Sequence, residues 1–280
     1  MKKLLIALLT LNTGFALEII SHRGHGYKKI IEKPQKLYRI NNNTIPAIEK
    51  AFELGATIVE IDLQMTKDGQ IVLFHDTKLD FNTNLKGRIK DYTYDSLGNL
   101  NRYRYYKEFT DAEISHPPTL FKDVLEIWEN KTFLLNPKNY SKKFSSKLFQ
   151  ILKKQSHQNF YIWGHDHFIR DYLYYGFSKD KVLPNHHQSY KCWEDFYQFP
   201  EQVLLFQLPQ SCYLFKNLIR LTGPKEYFWI YHFSKTFKLN GFNLWVFFIN
   251  DSLNFNIIKD YAVFGFMSSK LHLLPLKVQQ

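Results

Sequence analysis

Glu60 and Asp62 stand two residues apart in a stretch, 56–63, that alternates like a strand. Strand geometry sends Thr57, Val59, Ile61 and Leu63 to one face and Ile58, Glu60 and Asp62 to the other. Two carboxylates on one face raise each other's pKa, so a bound cation or a paired Lys or Arg must offset them. Thr66-Lys67-Asp68-Gly69 then signals a tight turn, and Gln70 to His75 resumes an apolar run. So short a connection cannot be a parallel crossover. It predicts an antiparallel return that carries His75 back opposite the carboxylate pair, in a register that a slip of one residue would spoil. His22, followed by Arg23 and Gly24, ends another short apolar run, Glu18-Ile19-Ile20-Ser21-His22. Two imidazoles can act as general acid and general base near neutral pH, and Arg23 offers a planar fork for phosphate oxygens.

These groups need a scaffold that brings strand ends together. Asn43 or Thr44 caps a helix in which Ile48, Ala51 and Phe52 have helical spacing, and Gly55 stops it. Strand, helix and strand within this length form a βαβ unit with parallel pairing. Further along, 120–128 reads as helix and 132–135 as extended chain. Strand candidates follow at 160–163, 181–184, 203–207, 228–231, 244–249 and 262–267. Short strands interleaved with helical segments predict an α/β fold, a (β/α)8 TIM barrel, with an open doubly wound sheet as the alternative.

The 280 residues are 45% hydrophobic, enough for one sizeable core, which excludes intrinsic disorder and a small disulfide scaffold. A formal charge of +11 favours anionic partners. No base-reading module emerges, so nucleic acid is not an expected partner. Lys2 and Lys3 precede an apolar run, Leu4 to Leu11, too short to span a bilayer, and Thr13-Gly14-Phe15-Ala16 supplies small residues for cleavage. The expectation is a signal peptide over 1–16 and one barrel domain over 17–280, exported to the periplasm or secreted. An uncleaved anchor or a buried first strand is the other reading. Cys192 and Cys212 are the only cysteines, read either as one disulfide or as two buried thiols.

The ordered set His22-Arg23-Gly24, Asn43-Thr44, Gly55-Ala56, Glu60-Ile61-Asp62, Thr66-Lys67-Asp68-Gly69 and His75-Asp76 resembles the glycerophosphodiester phosphodiesterase family. The likeness runs on through Lys86-Gly87-Arg88-Ile89-Lys90-Asp91-Tyr92-Thr93, Pro118-Thr119-Leu120 and Val124-Leu125. Beyond about residue 140 only Trp245 and Gly265-Phe266-Met267-Ser268 share it. The resemblance implies a (β/α)8 barrel that hydrolyses a small-molecule glycerophosphodiester to glycerol 3-phosphate and an alcohol. It makes His22 and His75 the acid/base pair, Glu60 and Asp62 metal ligands for a divalent cation (Ca2+ or Mg2+), and Arg23 a phosphate-binding residue. A lysophospholipase D-like enzyme and a non-catalytic barrel that binds phosphodiesters or a partner are the competing readings.

The sequence departs from the family pattern where a Glu-x-Lys is usual. Here it reads Asn136-Pro137-Lys138. Lys138 remains available for phosphate. Asn136 can still ligate a hard cation through its amide oxygen, but with one negative charge fewer, so weaker metal affinity is expected. Pro137 removes a strand donor and is expected to bend the segment. Asn42 replaces an acidic residue, and Ser268-Ser269 stands where Thr-Asp is common. Between Gly26 and Asn42, Lys28, Lys29, Lys33, Lys36 and Arg39 form a basic segment, read as a solvated loop or as a peripheral contact with an anionic membrane surface. His165, His167, His186 and His187 follow strand candidates; barrel-mouth geometry would put some of them near the site to bind substrate or supplement the metal, surface or structural roles are the default reading, and His-x-His without a third ligand is a weak metal signal.

Overall fold

Each residue from Ile58 to Gln64 is buried, which a strand achieves only when both of its faces are covered. The computed structural model shows how. It describes residues 17–25, 28–31, 36–39, 41–81, 83–100, 117–155, 160–164, 166–178, 181–184, 202–204, 243–247, 252, 255–256 and 265–276. Eight parallel strands form one sheet: β1 (Glu18–Ser21), β4 (Ile58–Met65), β6 (Thr132–Pro137), β7 (Phe160–Gly164), β8 (Val182–Pro184), β9 (Gln202–Leu204), β10 (Asn243–Phe247) and β11 (Gly265–Ser268). Neighbours pair in chain order from β1 through β8, and β9 through β11 returns to β1. The two ends of that path, β8 and β9, lie against each other, so the sheet closes into an α/β barrel. Among the described residues its helices are α1 (Ile45–Glu53), α2 (Phe121–Ile127), α3 (Lys142–Leu152) and α4 (Asp166–Tyr174).

The predicted alternation of the carboxylate strand holds, with its bounds shifted two residues toward the C-terminus. Val59, Ile61 and Leu63 face the outer core, where they join Ile48 and Ala51 of α1, Phe121 of α2 and Phe144 and Phe149 of α3. Ile58 faces the barrel interior with Ile20, Leu134, Tyr161, Trp163 and Met267. The interior stripe of β4 therefore climbs from apolar Ile58 through Glu60 and Asp62 to Gln64. That of β6 climbs in step, because Glu60 lies beside Leu134 and Asp62 beside Asn136. Pro137 keeps its place opposite Leu63 at the strand's last position, and the chain rejoins the ladder at once, with Lys138 N–H donating to the Leu63 carbonyl at 3.0 Å.

The tight turn forms as predicted. Strand β5 (Ile71–Leu73) returns antiparallel to β4, pairing Met65 with Ile71, Gln64 with Val72 and Leu63 with Leu73. Thr44, rather than Asn43, caps α1, its hydroxyl accepting from Ala47 N–H. The basic segment contains an antiparallel hairpin, β2 (Lys28–Ile31) with β3 (Lys36–Arg39), inserted between β1 and α1. Residues 1–16, both cysteines, the strand candidate at 228–231, and His165, His186 and His187 lie outside the described residues. Among the described residues no helix is long and apolar enough to cross a membrane.

Candidate active site

The C-terminal ends of β1, β4 and β6 deliver the side chains singled out above to one place at the barrel mouth, where sites of such barrels are built. Past β1 the chain turns sharply: Arg23 has φ 59° and Gly24 φ 70°. Arg23 is a non-glycine residue in the left-handed region, a strain held by its surroundings. The Arg23 backbone N–H donates to Glu60 Oε2 at 2.8 Å, Gly24 N–H donates to the Glu60 carbonyl at 3.2 Å, and the Arg23 carbonyl accepts from Asn43 N–H at 2.8 Å.

Glu60 and Asp62 are fully buried. Asp62 Oδ1 meets Lys138 Nζ at 2.9 Å, and Oδ2 meets Arg23 Nε at 3.3 Å and accepts from Asn43 Nδ2 at 2.7 Å. Glu60 Oε1 accepts from Asn136 Nδ2 at 2.8 Å. Two carboxylates thus face two cations, and the cluster is formally neutral. Burial, then the Asp62 charge, pushes the Glu60 carboxyl up to about 8. Both its oxygens nevertheless accept from N–H donors, which suits a carboxylate better than an acid that must donate. Burial resists ionisation of Asp62 as well, but Lys138 and Arg23 outweigh it and hold that carboxyl below its ordinary range.

His22 Nδ1 lies 2.9 Å from Ser269 Oγ. Burial first, then the positive charges of Arg23 and Lys138, lowers its pKa to about 3, so it is a neutral imidazole at physiological pH. His75 Nδ1 lies 2.8 Å from Asp76 Oδ1, which orients the ring by a carboxylate. Its charge reaches both His22 and Asp62, so the return strand brings it to the same site. His22, Arg23, Glu60, Asp62, His75, Asn136 and Lys138 therefore converge. His167, just past the C-terminal end of β7, is exposed and packs its ring against that of Tyr140, tilted, at 5.6 Å between centroids.

Among the described residues no group of three or more His, Cys, Asp or Glu side chains forms a metal-holding set. A cation here would rest on Glu60, Asp62 and the Asn136 amide, all hard donors of the kind Ca2+ and Mg2+ accept. The set fits such an ion in kind, and its groups already have partners within the protein. Asn136 turns its nitrogen, not its oxygen, toward Glu60, and Arg23 and Lys138 already compensate the Asp62 charge.

Four residues in this network escaped the sequence reading as parts of a site. Asn43, expected as a helix cap, has φ 59° and clamps Asp62, donating to its carboxylate and accepting from its backbone N–H at 3.0 Å. Ser269 holds His22. Gln64 and Asn139 are joined at 2.7 Å behind His75. Gln64 had a signal in its place two residues beyond Asp62 on the same face, and Asn43 and Ser269 stood in segments compared with the family pattern, whereas Asn139 had none.

The fold and the site define a parallel α/β barrel whose mouth gathers two imidazoles, two buried carboxylates and two cations. The glycerophosphoryl diester phosphodiesterase family matches residues 22–178, more than half of the chain, and the chain belongs to that family. A glycerophosphodiester phosphodiesterase of Caldanaerobacter subterraneus subsp. tengcongensis is 37% identical over 119 residues, 42% of this chain and 43% of that protein. Glycerophosphodiester phosphodiesterase 1 of Rattus norvegicus is 34% identical over 149 residues, 52% of this chain and 41% of that protein. The matched stretch spans about two fifths of the length of these relatives. Solved structures share the fold over nearly the whole chain. A glycerophosphodiester phosphodiesterase of Thermotoga maritima superposes with TM-score 0.61 at 20% identity, covering 92% of this chain and 96% of that one. A phosphodiesterase of Oleispira antarctica, solved in complex with the product sn-glycerol-3-phosphate, gives 0.60 at 16% identity, covering 91% and 94%.

Proposed function

We propose that this protein hydrolyses glycerophosphodiesters to glycerol 3-phosphate and an alcohol. The observation that carries the reading is the convergence of a neutral His22, a carboxylate-held His75 and two cations, Arg23 and Lys138, at one barrel mouth. Family membership supports it. Arg23 and Lys138 hold the non-bridging phosphate oxygens and stabilise charge that grows there as the nucleophile attacks phosphorus. Lys138 also lies 6.0 Å from the centre of the Trp163 ring, which limits where its ammonium can go.

His22 suits the base. Uncharged, it takes the proton of the attacking oxygen, water or the substrate's own glycerol hydroxyl. His75, in its protonated form, then gives a proton to the departing alkoxide as the phosphorus–oxygen bond breaks. Where the glycerol hydroxyl attacks, a cyclic phosphate forms and water opens it with the two histidines exchanging roles. Glu60, Asp62 and Asn136 would hold a divalent cation, Ca2+ or Mg2+, which when bound polarises the phosphoryl oxygens. We read residues 1–16 as an export signal, which places the activity in the periplasm or outside the cell.

The test is hydrolysis of glycerophosphocholine by the purified protein, followed by enzymatic detection of glycerol 3-phosphate with Ca2+, with Mg2+ and after chelation. His22→Ala and His75→Ala are each expected to abolish turnover while leaving the thermal unfolding curve in place. Cleavage of a lysophospholipid without any release of glycerol 3-phosphate would overturn the substrate assignment. Silence on both substrates at every metal concentration would favour the binding-only barrel.

A further inference from the structure

The β4–β5 ladder poses a problem that its own register makes plain. Leu63 pairs with Leu73, so the next pairs in a regular ladder are Asp62 with Phe74 and Ile61 with His75. Directly opposed residues share a face. Ile61 belongs to the outer core beneath the helices. A ladder continued by two residues would therefore turn His75 away from Glu60 and Asp62. Something must end the ladder between Leu73 and His75.

Two side-chain amides meet the chain at that point. Phe74 N–H donates to the Asp62 carbonyl at 2.9 Å, half of a regular exchange. The other half would run from Asp62 N–H to the Phe74 carbonyl. That N–H donates to Asn43 Oδ1 at 3.0 Å, and that carbonyl accepts from Gln64 Nε2 at 3.0 Å. The same Gln64 Nε2 donates to the Asp76 carbonyl at 2.8 Å. Gln64 thus grips the backbone on both sides of His75 with its two amide hydrogens. Its own oxygen accepts from Asn139 Nδ2 at 2.7 Å, which fixes the amide's orientation from the loop after β6. Gln64 is fully buried.

We infer that Gln64 is a positioning residue for His75: its buried amide draws the 74–76 backbone out of the β4–β5 ladder and turns the imidazole toward the site. The inference rests on the reading of His75 as an acid/base group. It assigns Asn139 the role of holding Gln64 with its two hydrogens toward the chain, and it links the loop of β6 that carries Lys138 to the placement of His75.

Gln64→Glu keeps the shape and removes both donors; Gln64→Leu removes all polarity; Asn139→Ala leaves Gln64 in place but frees its orientation. Each is compared with wild type in thermal unfolding, in the side-chain 15N and 13C resonances of His75, assigned through a His75→Gln control, and in steady-state hydrolysis of glycerophosphocholine. The resonances should move in all three variants. A misplacement of about 1 Å costs on the order of 100-fold, so kcat should fall by about that factor in both Gln64 variants. KM should stay within about twofold, because Arg23 and Lys138 are untouched, and Asn139→Ala should show a smaller loss of kcat. Unmoved His75 resonances in a folded Gln64 variant overturn the inference, as does a loss that falls on KM alone. If the Gln64 variants fail to fold, Asn139→Ala decides by the same readouts. A wild type inactive on the substrate would refute the proposed function and leave the resonance test standing.

Discussion

Replacing Asn136 by Asp tests the charge arrangement at the barrel mouth with almost no change in shape. Asn136 is buried and donates to Glu60 at 2.8 Å. The substitution removes a hydrogen bond to a charged acceptor, roughly 1.5–3 kcal/mol, and sets two carboxylates against each other. Unit charges near 4 Å repel by about 4 kcal/mol at an effective dielectric of 20. Protonation caps that penalty, since holding one carboxyl neutral at pH 7 against an ordinary value near 4 also costs about 4 kcal/mol. The metal-free variant should therefore lose about 2–4 kcal/mol at pH 7, a fall in Tm of roughly 4–16 °C at about 2–4 °C per kcal/mol. The sign with pH follows from linkage. The new carboxyl has its folded pKa raised, so the loss is complete above that value and fades as pH falls toward 4. A divalent cation should reverse the effect, because the variant supplies the missing charge: at 100 times its Kd an ion returns about 2.7 kcal/mol. Differential scanning fluorimetry at pH 5 and pH 7, with EDTA or with titrated Ca2+, reads each arm. If the metal-free variant melts with wild type and Ca2+ raises neither more than the other, Asn136 does not act on Glu60, and the charge argument is wrong.

Other substitutions probe the scaffold that holds the site. A Cβ on Gly24 would lie 2.9 Å from the Ala47 carbonyl carbon and 3.0 Å from its Cβ, whereas one on Gly55 meets nothing within 4 Å; both glycines have positive φ. Gly55→Ala should cost about 1–2 kcal/mol for the left-handed conformation alone, and Gly24→Ala about 1–3 kcal/mol more, with equal urea midpoints refuting the difference. His25 Nε2 lies 2.9 Å from His272 Nδ1, tying the β1 turn to the segment after β11. Burial, then His272 and Lys50, lowers the His25 pKa from 6.5 to about 4, and burial followed by Lys270 lowers that of His272. A lowered histidine contributes stability that is complete above about 6.5 and lost as pH falls toward 4. The drop in urea midpoint between pH 7 and pH 5 should shrink in His25→Gln; an unchanged drop would place the acid sensitivity elsewhere.

Much of the site was legible in the sequence because it obeys periods. The alternation of 56–63 set Glu60 and Asp62 on one face, and that face is the barrel interior. The Asp68-Gly69 turn set the β5 return, whose observed pairs run from Met65 with Ile71 to Leu63 with Leu73; extended two steps, that register would set Ile61 opposite His75, the neighbourhood the turn predicts. What the period could not supply is the last step, since strict alternation puts His75 on the wrong face. The break depends on side chains bonding to backbone 10 and 12 residues away, from Gln64 to Phe74 and Asp76. Such bonds leave no repeat in the sequence, because nothing about a glutamine in a strand announces which carbonyl it will meet. His22 with Ser269 and His25 with His272 were invisible for a stronger reason, each pair lying 247 residues apart and joined only by the closing of the barrel at β1 and β11.

Asn136 shows how a visible substitution can still be read too narrowly. From composition alone it is a lost negative charge, and the expected consequence is a weaker cation. In the fold the amide is also a donor, and the two effects work together. With two carboxylates, Arg23 and Lys138 the cluster sums to zero; a third carboxylate would leave it at −1. The Asn136 nitrogen then takes up the Glu60 oxygen that such a carboxylate would repel. The carboxylate pair is thus stabilised by the chain's own N–H groups and cations, and Arg23 and Lys138 keep their positions through Asp62 whether or not an ion is present. On that geometry the grip on a phosphate should depend on ionic strength, through Arg23 and Lys138, more steeply than on chelation.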